Sequence, residues 1–398
     1  MRITRNTIIA LTLIGTITVG LAIVAFARAG RTAGAPAMAI SLSTDGHYAI
    51  SSHRDGSIVL WNIKKRKKRI ISTNGNIYSA YFVKRRNAFI WQDQSNVVHL
   101  DNLDNKSLMT FKMPPTYGEV MSTDLKNYYA SDIGWAIYHR GSNGNVSRIK
   151  NGWGKAFYGF GKLLNLTLSN DGRYLLQSGA PYEFDSKISI HEEKGKNHYS
   201  EMVGVVLWDI NTSRPIAKLS GNAVKTYATF SPEGKYIVSA DEDSQAFVWQ
   251  TNPTRRLYNL ASVFAGKYIG KGKNLDGLYG EAFAKAAYDS TGLIPAPPDF
   301  EKDASLAIKF IDTNKRFLRF CTYQHYAILY KIGNPLPLKY LPLGRHPFPA
   351  VSDYSRNTAI DTAPAAGILV MGERNGNGII VYHYNNKTET LKKVWVSD

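Results

Sequence analysis

Six consecutive cations, Lys64, Lys65, Arg66, Lys67, Lys68 and Arg69, form the densest charged run in the chain. Such a run attracts phosphates or anionic headgroups by displacing their counterions. It is equally compatible with a solvated hairpin tip, and on sequence alone both readings stay open. It could also pass for a nuclear localisation signal, but the apolar N-terminus argues against that address. His191 and His198, in HEEKGKNHYSE, invite a metal reading. Zinc-protease histidines stand four apart on one helix face, whereas these stand seven apart in a glycine- and lysine-rich stretch. No metal is therefore expected. The chain holds no Gly-x-Ser-x-Gly elbow and no Gly-x4-Gly-Lys-Ser/Thr phosphate loop. Gly270-Lys271-Gly272-Lys273 is basic but lacks the hydroxyl residue of such a loop. Cys321 is the only cysteine, which excludes an internal disulfide or a cysteine-based zinc site. It reads as a small core residue in FLRFCTY. No catalytic residue and no cofactor are expected.

The elements that must carry these residues are set by a repeat. Ser231 to Trp249, SPEGKYIVSADEDSQAFVW, reads as a Ser-Pro-Glu-Gly turn, the strand KYIVSA, an acidic turn and the strand QAFVW. Ser43 to Trp61, STDGHYAISSHRDGSIVLW, has the same grammar and the same spacing from serine to tryptophan. Ser169 to Trp208 repeats it with a long interruption. Self-similar turn–strand–turn–strand units indicate a repeat architecture, and the Asp-Gly pairs at 45–46, 55–56 and 171–172 are turn formers rather than acids or bases.

Composition bounds the setting. The 398 residues are 44% hydrophobic and 12% aromatic, enough for a large ordered core. The 24 tyrosines favour strands. Net charge is +18, which suits an anionic partner such as nucleic acid, anionic lipid, an acidic protein or an anionic cell-wall polymer; charge alone does not choose among them, and of these nucleic acid is not the one expected. Residues 8–27, IIALTLIGTITVGLAIVAFA, carry no charge and are long enough to span a bilayer as a helix. They are read as a membrane anchor within 1–29, with a cleaved signal segment as the alternative, followed by a linker at 30–37. With so few cysteines, this predicts a single-pass protein of the bacterial inner membrane with its bulk in the periplasm. Signal cleavage would instead leave it secreted or periplasmic.

From residue 38 to 398 the chain divides into seven units, at about 38–71, 77–113, 119–150, 163–221, 224–260, 304–343 and 357–396. Four antiparallel strands each make an all-β β-propeller of seven blades, with six or eight as alternatives, preceded by one N-terminal hydrophobic helix. The stretches DGSIVLWNI (55–63), GVVLWDINTSRPIAKLSG (204–221) and SPEGKYIVSADEDSQAFVWQ (231–250) resemble the WD-repeat family. Trp208-Asp209 is the one Trp-Asp pair, and Tyr330 takes the tryptophan place in the sixth unit. The family's Gly-His dipeptide is missing, since Asn222 follows Gly221, so the Asp-His-Ser-Trp hydrogen-bond tetrad is expected to be incomplete. The resemblance implies a non-catalytic scaffold that assembles proteins.

Two segments, 180–203 and 261–302, interrupt the repeat. In a four-stranded blade the connection between strands two and three opens on the same face as the connection to the next blade. Both segments, and the connector NGWGKAFYGFG (151–161), are therefore expected on one face. Trp153, Phe157, Tyr158, Phe160, His191 and Tyr279 on these segments are the candidate partner-binding residues. The four aromatics of the connector would serve equally to plug the gap between blades. Lys64–Arg69 are placed at the turn between strands three and four of blade one, on the opposite face. Their nearness in sequence to the anchor suggests lipid headgroups as their target. A propeller enzyme, hydrolase or lyase, would need acids, bases or arginines converging in the central funnel. Ring-lining positions read as mostly apolar or small, which counts against it.

Overall fold

The structure is a computed structural model. It describes residues 35–115, 118–132, 136–149, 163–179, 203–221, 226–241, 245–260, 305–313, 315–321, 326–343, 359–373 and 378–397. Among these, twenty-eight strands form seven four-stranded antiparallel sheets, each made of four consecutive strands. This is the expected seven-bladed propeller. Blade one is built from Ala37–Leu42, Tyr48–His53, Ile58–Asn62 and Lys67–Ser72. Blade seven is built from Ile360–Ala363, Ile368–Gly372, Ile379–Asn385 and Thr390–Val396. The ring closes without exchanging a strand, because blade seven completes itself with Thr390–Val396. Its first two strands pack on the first strand of blade one. Residues 1–34, including the predicted N-terminal helix, lie outside the described residues. No helix among the described residues is long and apolar enough to cross a membrane.

The strands read as unbroken apolar runs because each sheet is buried on both faces. Leu175 turns to the seam with blade three, and its neighbour Leu176 to the seam with blade five. Seven apolar clusters result, one per seam. The closing seam joins Ile40, Leu42, Val59 and Trp61 to Val370, Ile379 and Val381. The outer fourth strands carry most of the strands' exposed residues, in places alternating with half-buried ones, as in Arg214–Ser220.

Hydrogen bonds define the two rims. The rim where strand one meets strand two is here called the lower one. On it, Ser43, Ser122, Ser169 and Ser231 each accept through Oγ the backbone N–H five residues on, at 2.9–3.0 Å. The same serines donate backbone N–H to that residue's carbonyl. A left-handed residue closes each turn: Gly46, Gly172 and Gly234 at φ +71°, +73° and +76°. Blade three uses Leu125 at φ 64° instead, which is why its sequence departs from the repeat.

Candidate functional site

The indole of the repeat is anchored across strands two and three. In blade one, Trp61 donates to Ser51 Oγ at 2.7 Å, and Ser51 lies 2.7 Å from His53 Nε2. His53 Nδ1 sits 2.9 Å from the carbonyl of Ala35. A carbonyl can only accept, so Nδ1 carries the proton and Nε2 accepts from the serine. Three members of the expected tetrad are therefore present in this blade, with the imidazole on strand two rather than ahead of strand one. Burial holds the His53 pKa below its usual value. Trp249 repeats the bond to Ser239 at 3.0 Å, and Trp208 uses Gln177 at 3.1 Å. Blade two reverses the pair. Asp101, facing Phe89, stands where Trp61 stands facing Ala49. Trp91 occupies the serine place and donates to Asp101 at 2.7 Å. Exchanging the two strands keeps donor and acceptor in register.

These bonds fix the rims from which the connections leave. Residues 150–162 join Ile149 to Leu163, 180–202 join Gly179 to Val203, and 260–304 join Asn259 to Ser305. All three run between strand ends on the upper rim, since antiparallel strands put the two-to-three and four-to-one connections together. Residue 203 belongs to strand three of blade four rather than to the interruption. Trp153, Phe157, Tyr158, Phe160, His191 and Tyr279 fall on these connections and lie outside the described residues, as does His198.

The basic run is divided. Lys64, Lys65 and Arg66 lie in the turn, but Lys67, Lys68 and Arg69 belong to the outer strand, all six exposed. Placing the whole run in the turn is thus corrected: the strand pairs as far as Asn62↔Lys67. Arg66 donates to the Val394 carbonyl of blade seven at 3.3 Å, and Arg69 to the Leu103 carbonyl of blade two at 2.6 Å. Lys68 Nζ lies 5.6 Å from the Trp61 ring centroid. Ala35, where the described chain begins, bonds His53 at the upper end of strand two, while the turn at 64–66 is on the lower rim. Nearness in sequence to Ala35 is therefore not nearness in space, because a strand of five or six residues separates the rims by about 20 Å.

The channel holds the residues that the sequence reading missed. Position by position, Ser41, Tyr81, Val120, Thr167, Thr229, Lys309 and Thr362 face one another's register on the inner strands. Most are small, as expected, but Lys309 is not. Its ammonium pairs with Asp361 Oδ1 at 3.1 Å, and Asp361 Oδ2 accepts the Leu42 N–H at 2.8 Å. Lys84 of blade two donates to the Leu168 carbonyl of blade four at 2.8 Å. Enclosure by the ring lowers its pKa to about 8, with Asp361 opposing and Lys309 assisting. The side chain still meets solvent, as a group in a narrow wet channel does, and that contact tempers the displacement. Glu119, in the seam between blades two and three, is raised by burial and accepts from Ser79 and Tyr128. Both oxygens of Asp361 are spent on holding blade seven to blades six and one, and Glu119 on holding blade three to blade two. Aligning the ends of the inner strands could have revealed Lys84, which stands where blades one, three and four have Thr44, Thr123 and Asn170. No three His, Cys, Asp or Glu side chains gather for a metal among the described residues.

Known proteins agree with this architecture. The family model described as "WD domain, G-beta repeat" matches residues 31–62 and 213–250. The crystal structure of the β-propeller domain of Myceliophteria thermophila Cps50 (Swd1) is similar at TM-score 0.59 and 11% identity. The match covers 88% of this chain and 97% of that one. No curated protein matches the chain.

Proposed function

We propose that this propeller, carrying WD-repeat sequence in two stretches, is a non-catalytic scaffold. It docks a protein partner on its upper rim and is tethered to the bacterial inner membrane by residues 8–27, with the ring in the periplasm. WD-repeat propellers typically bind proteins, and that supports the general reading. The observation that carries the finer one is topological: 150–162, 180–202 and 260–304 all leave from one rim. Long connections on a rigid frame are where binding residues concentrate. The acids of the ring are engaged in holding blades together, which favours a scaffold over an enzyme working in the funnel.

Cross-linking capture from native membranes tests this. The intact chain is compared with a variant in which 261–302 is replaced by a short Gly-Ser turn, and with Trp153→Ala/Phe157→Ala. One defined protein should be captured by the intact chain and lost from the variants while their melting temperatures hold. Equal capture by all three sinks the assignment of this rim.

A further inference from the structure

The folded ring joins two basic segments that lie far apart in sequence. The fourth strand of blade one and its turn, residues 63–72, carry Lys64, Lys65, Arg66, Lys67, Lys68 and Arg69. The corresponding part of blade seven, 386–396, carries Lys387, Lys392 and Lys393, all exposed. Arg66 bridges the two by donating to Val394 O at 3.3 Å, and Trp61 meets Trp395 edge-on at 6.3 Å beneath them. Across both segments the one carboxylate is Glu389, which Arg316 of blade six already holds at 2.9 Å. The outer strands of blades seven and one therefore present a cationic band along the side of the ring that spans their seam, not merely a charged hairpin tip.

Aliphatic surface accompanies the charge. Among the described residues, the exposed large hydrophobics are Ile70, Leu108, Val146, Ile216, Leu257, Val394 and Val396. Three of the seven, Ile70, Val394 and Val396, lie on the two outer strands that flank this seam, Ile70 on the face toward blade seven and Val396, opposite Ile380, on the face toward blade six; blades two to five carry a single one each. We propose that the seam of blades seven and one is a peripheral contact for a bilayer surface rich in anionic phospholipid. Lysines and arginines neutralise its headgroups while Ile70, Val394 and Val396 enter the interfacial region. Nucleic acid fits less well. Seven of the nine cations are lysines, which lack the planar fork that grips phosphate in two places. None of the exposed large hydrophobics is aromatic, so none offers a ring for bases to stack upon. A side-on contact leaves the upper rim open, so this inference does not depend on the protein-docking reading.

The test uses the full chain with two sets of vesicles, phosphatidylcholine alone and phosphatidylcholine doped with phosphatidylglycerol. Residues 8–27 are uncharged and should favour both compositions equally; with Arg2, Arg5, Arg28 and Arg31 beside them changed to Gln in every protein compared, the ratio of the two partition coefficients isolates the band. That ratio should exceed about tenfold at low salt and approach one as salt shortens the screening length to about 3 Å. Lys64→Glu/Lys65→Glu/Lys392→Glu/Lys393→Glu should abolish the preference. Lys106→Glu/Lys112→Glu on blade two should keep most of it, and Ile70→Ser/Val394→Ser should weaken binding to doped vesicles even at high salt. Unchanged circular dichroism identifies folded variants. Preference surviving the four-fold reversal overturns the proposal. So does displacement of the vesicles by short duplex DNA at equal charge, which would mark the band as a general polyanion site.

Discussion

The two rims are built on different terms. Every lower connection is short, the longest being the six residues 122–127 between Met121 and Tyr128. Four of them share one device, a serine whose hydroxyl accepts the N–H five residues on. On the upper rim, Thr73 and Asn74 suffice between blades one and two, whereas 260–304 separate blades five and six. On both rims the strand ends they join are tied into the blades by ladder hydrogen bonds and seam packing. Connection length is thus constrained where a local turn code operates, and is open to variation on the other rim. That asymmetry is what a rigid frame needs if one face alone is to acquire a partner.

Substitutions at the two rims sharpen the contrast. Gly46→Ala should be the most damaging of those considered. At φ +71° an L side chain is strained, and the new Cβ would lie 3.0 Å from Ile368 Cγ1 and 3.1 Å from Ala366 Cβ across the closing seam. A loss of about 3 kcal/mol, from strain plus overpacking, is expected in chemical denaturation. A loss under about 1 kcal/mol would show that the lower turns relax freely.

His53→Gln comes next, at about 2 kcal/mol, because it breaks the buried relay from Trp61 through Ser51 to the Ala35 carbonyl. It also carries a pH signature. Burial lowers the folded-state pKa of His53, with Lys68 reinforcing and Asp55 opposing. Below about 6.5 the unfolded chain therefore binds more protons than the folded one. The stability contributed by the neutral ring is complete above that pH and is lost as pH falls through it toward the folded pKa. The variant should show a shallower decline of melting temperature over that window. An unchanged slope would assign the acid sensitivity to other groups.

Gly172→Ala isolates the backbone term. It shares the left-handed φ of Gly46, but a Cβ there meets nothing within 4 Å. About 1 kcal/mol is expected, clearly less than at Gly46. Equal losses at the two sites would make strain, rather than the seam, the dominant cost.

Legibility in the sequence follows the same asymmetry. The blades with Ser-x-Asp-Gly or Ser-Pro-Glu-Gly turns and a strand-three tryptophan could be read directly, since each local signal agrees with the fold. Blade two was readable only by its strands, because Trp91 and Asp101 exchange the places that Trp61 and Ser51 hold in blade one. Blade three hid its turn behind Leu125, a left-handed position without its glycine. Lys84 and Lys309 went unnoticed because a lysine in a strand or turn normally reads as solvent-facing; only ring closure turns those positions inward. The union of Lys64–Arg69 with Lys392 and Lys393 was likewise invisible, being a contact between opposite ends of the chain.

The smallest expected effect is the most informative. Ser178 pairs with Val205 as Ser52 pairs with Ile58. Gly179 and residue 204 therefore correspond to His53 and Ser57. Replacing 180–203 by the tripeptide Arg-Asp-Gly, in the register of Arg54–Gly56, grafts the blade-one connection onto blade four. If the upper rim merely carries its long connections, the melting temperature should not fall, since shortening a loop lowers the entropy cost of closing it. Partner capture should weaken at the same time. A fall equivalent to about 2 kcal/mol or more would mean that 180–203 packs as part of the ring. The upper rim would then be as constrained as the lower, and the division between frame and binding face would fail at blade four.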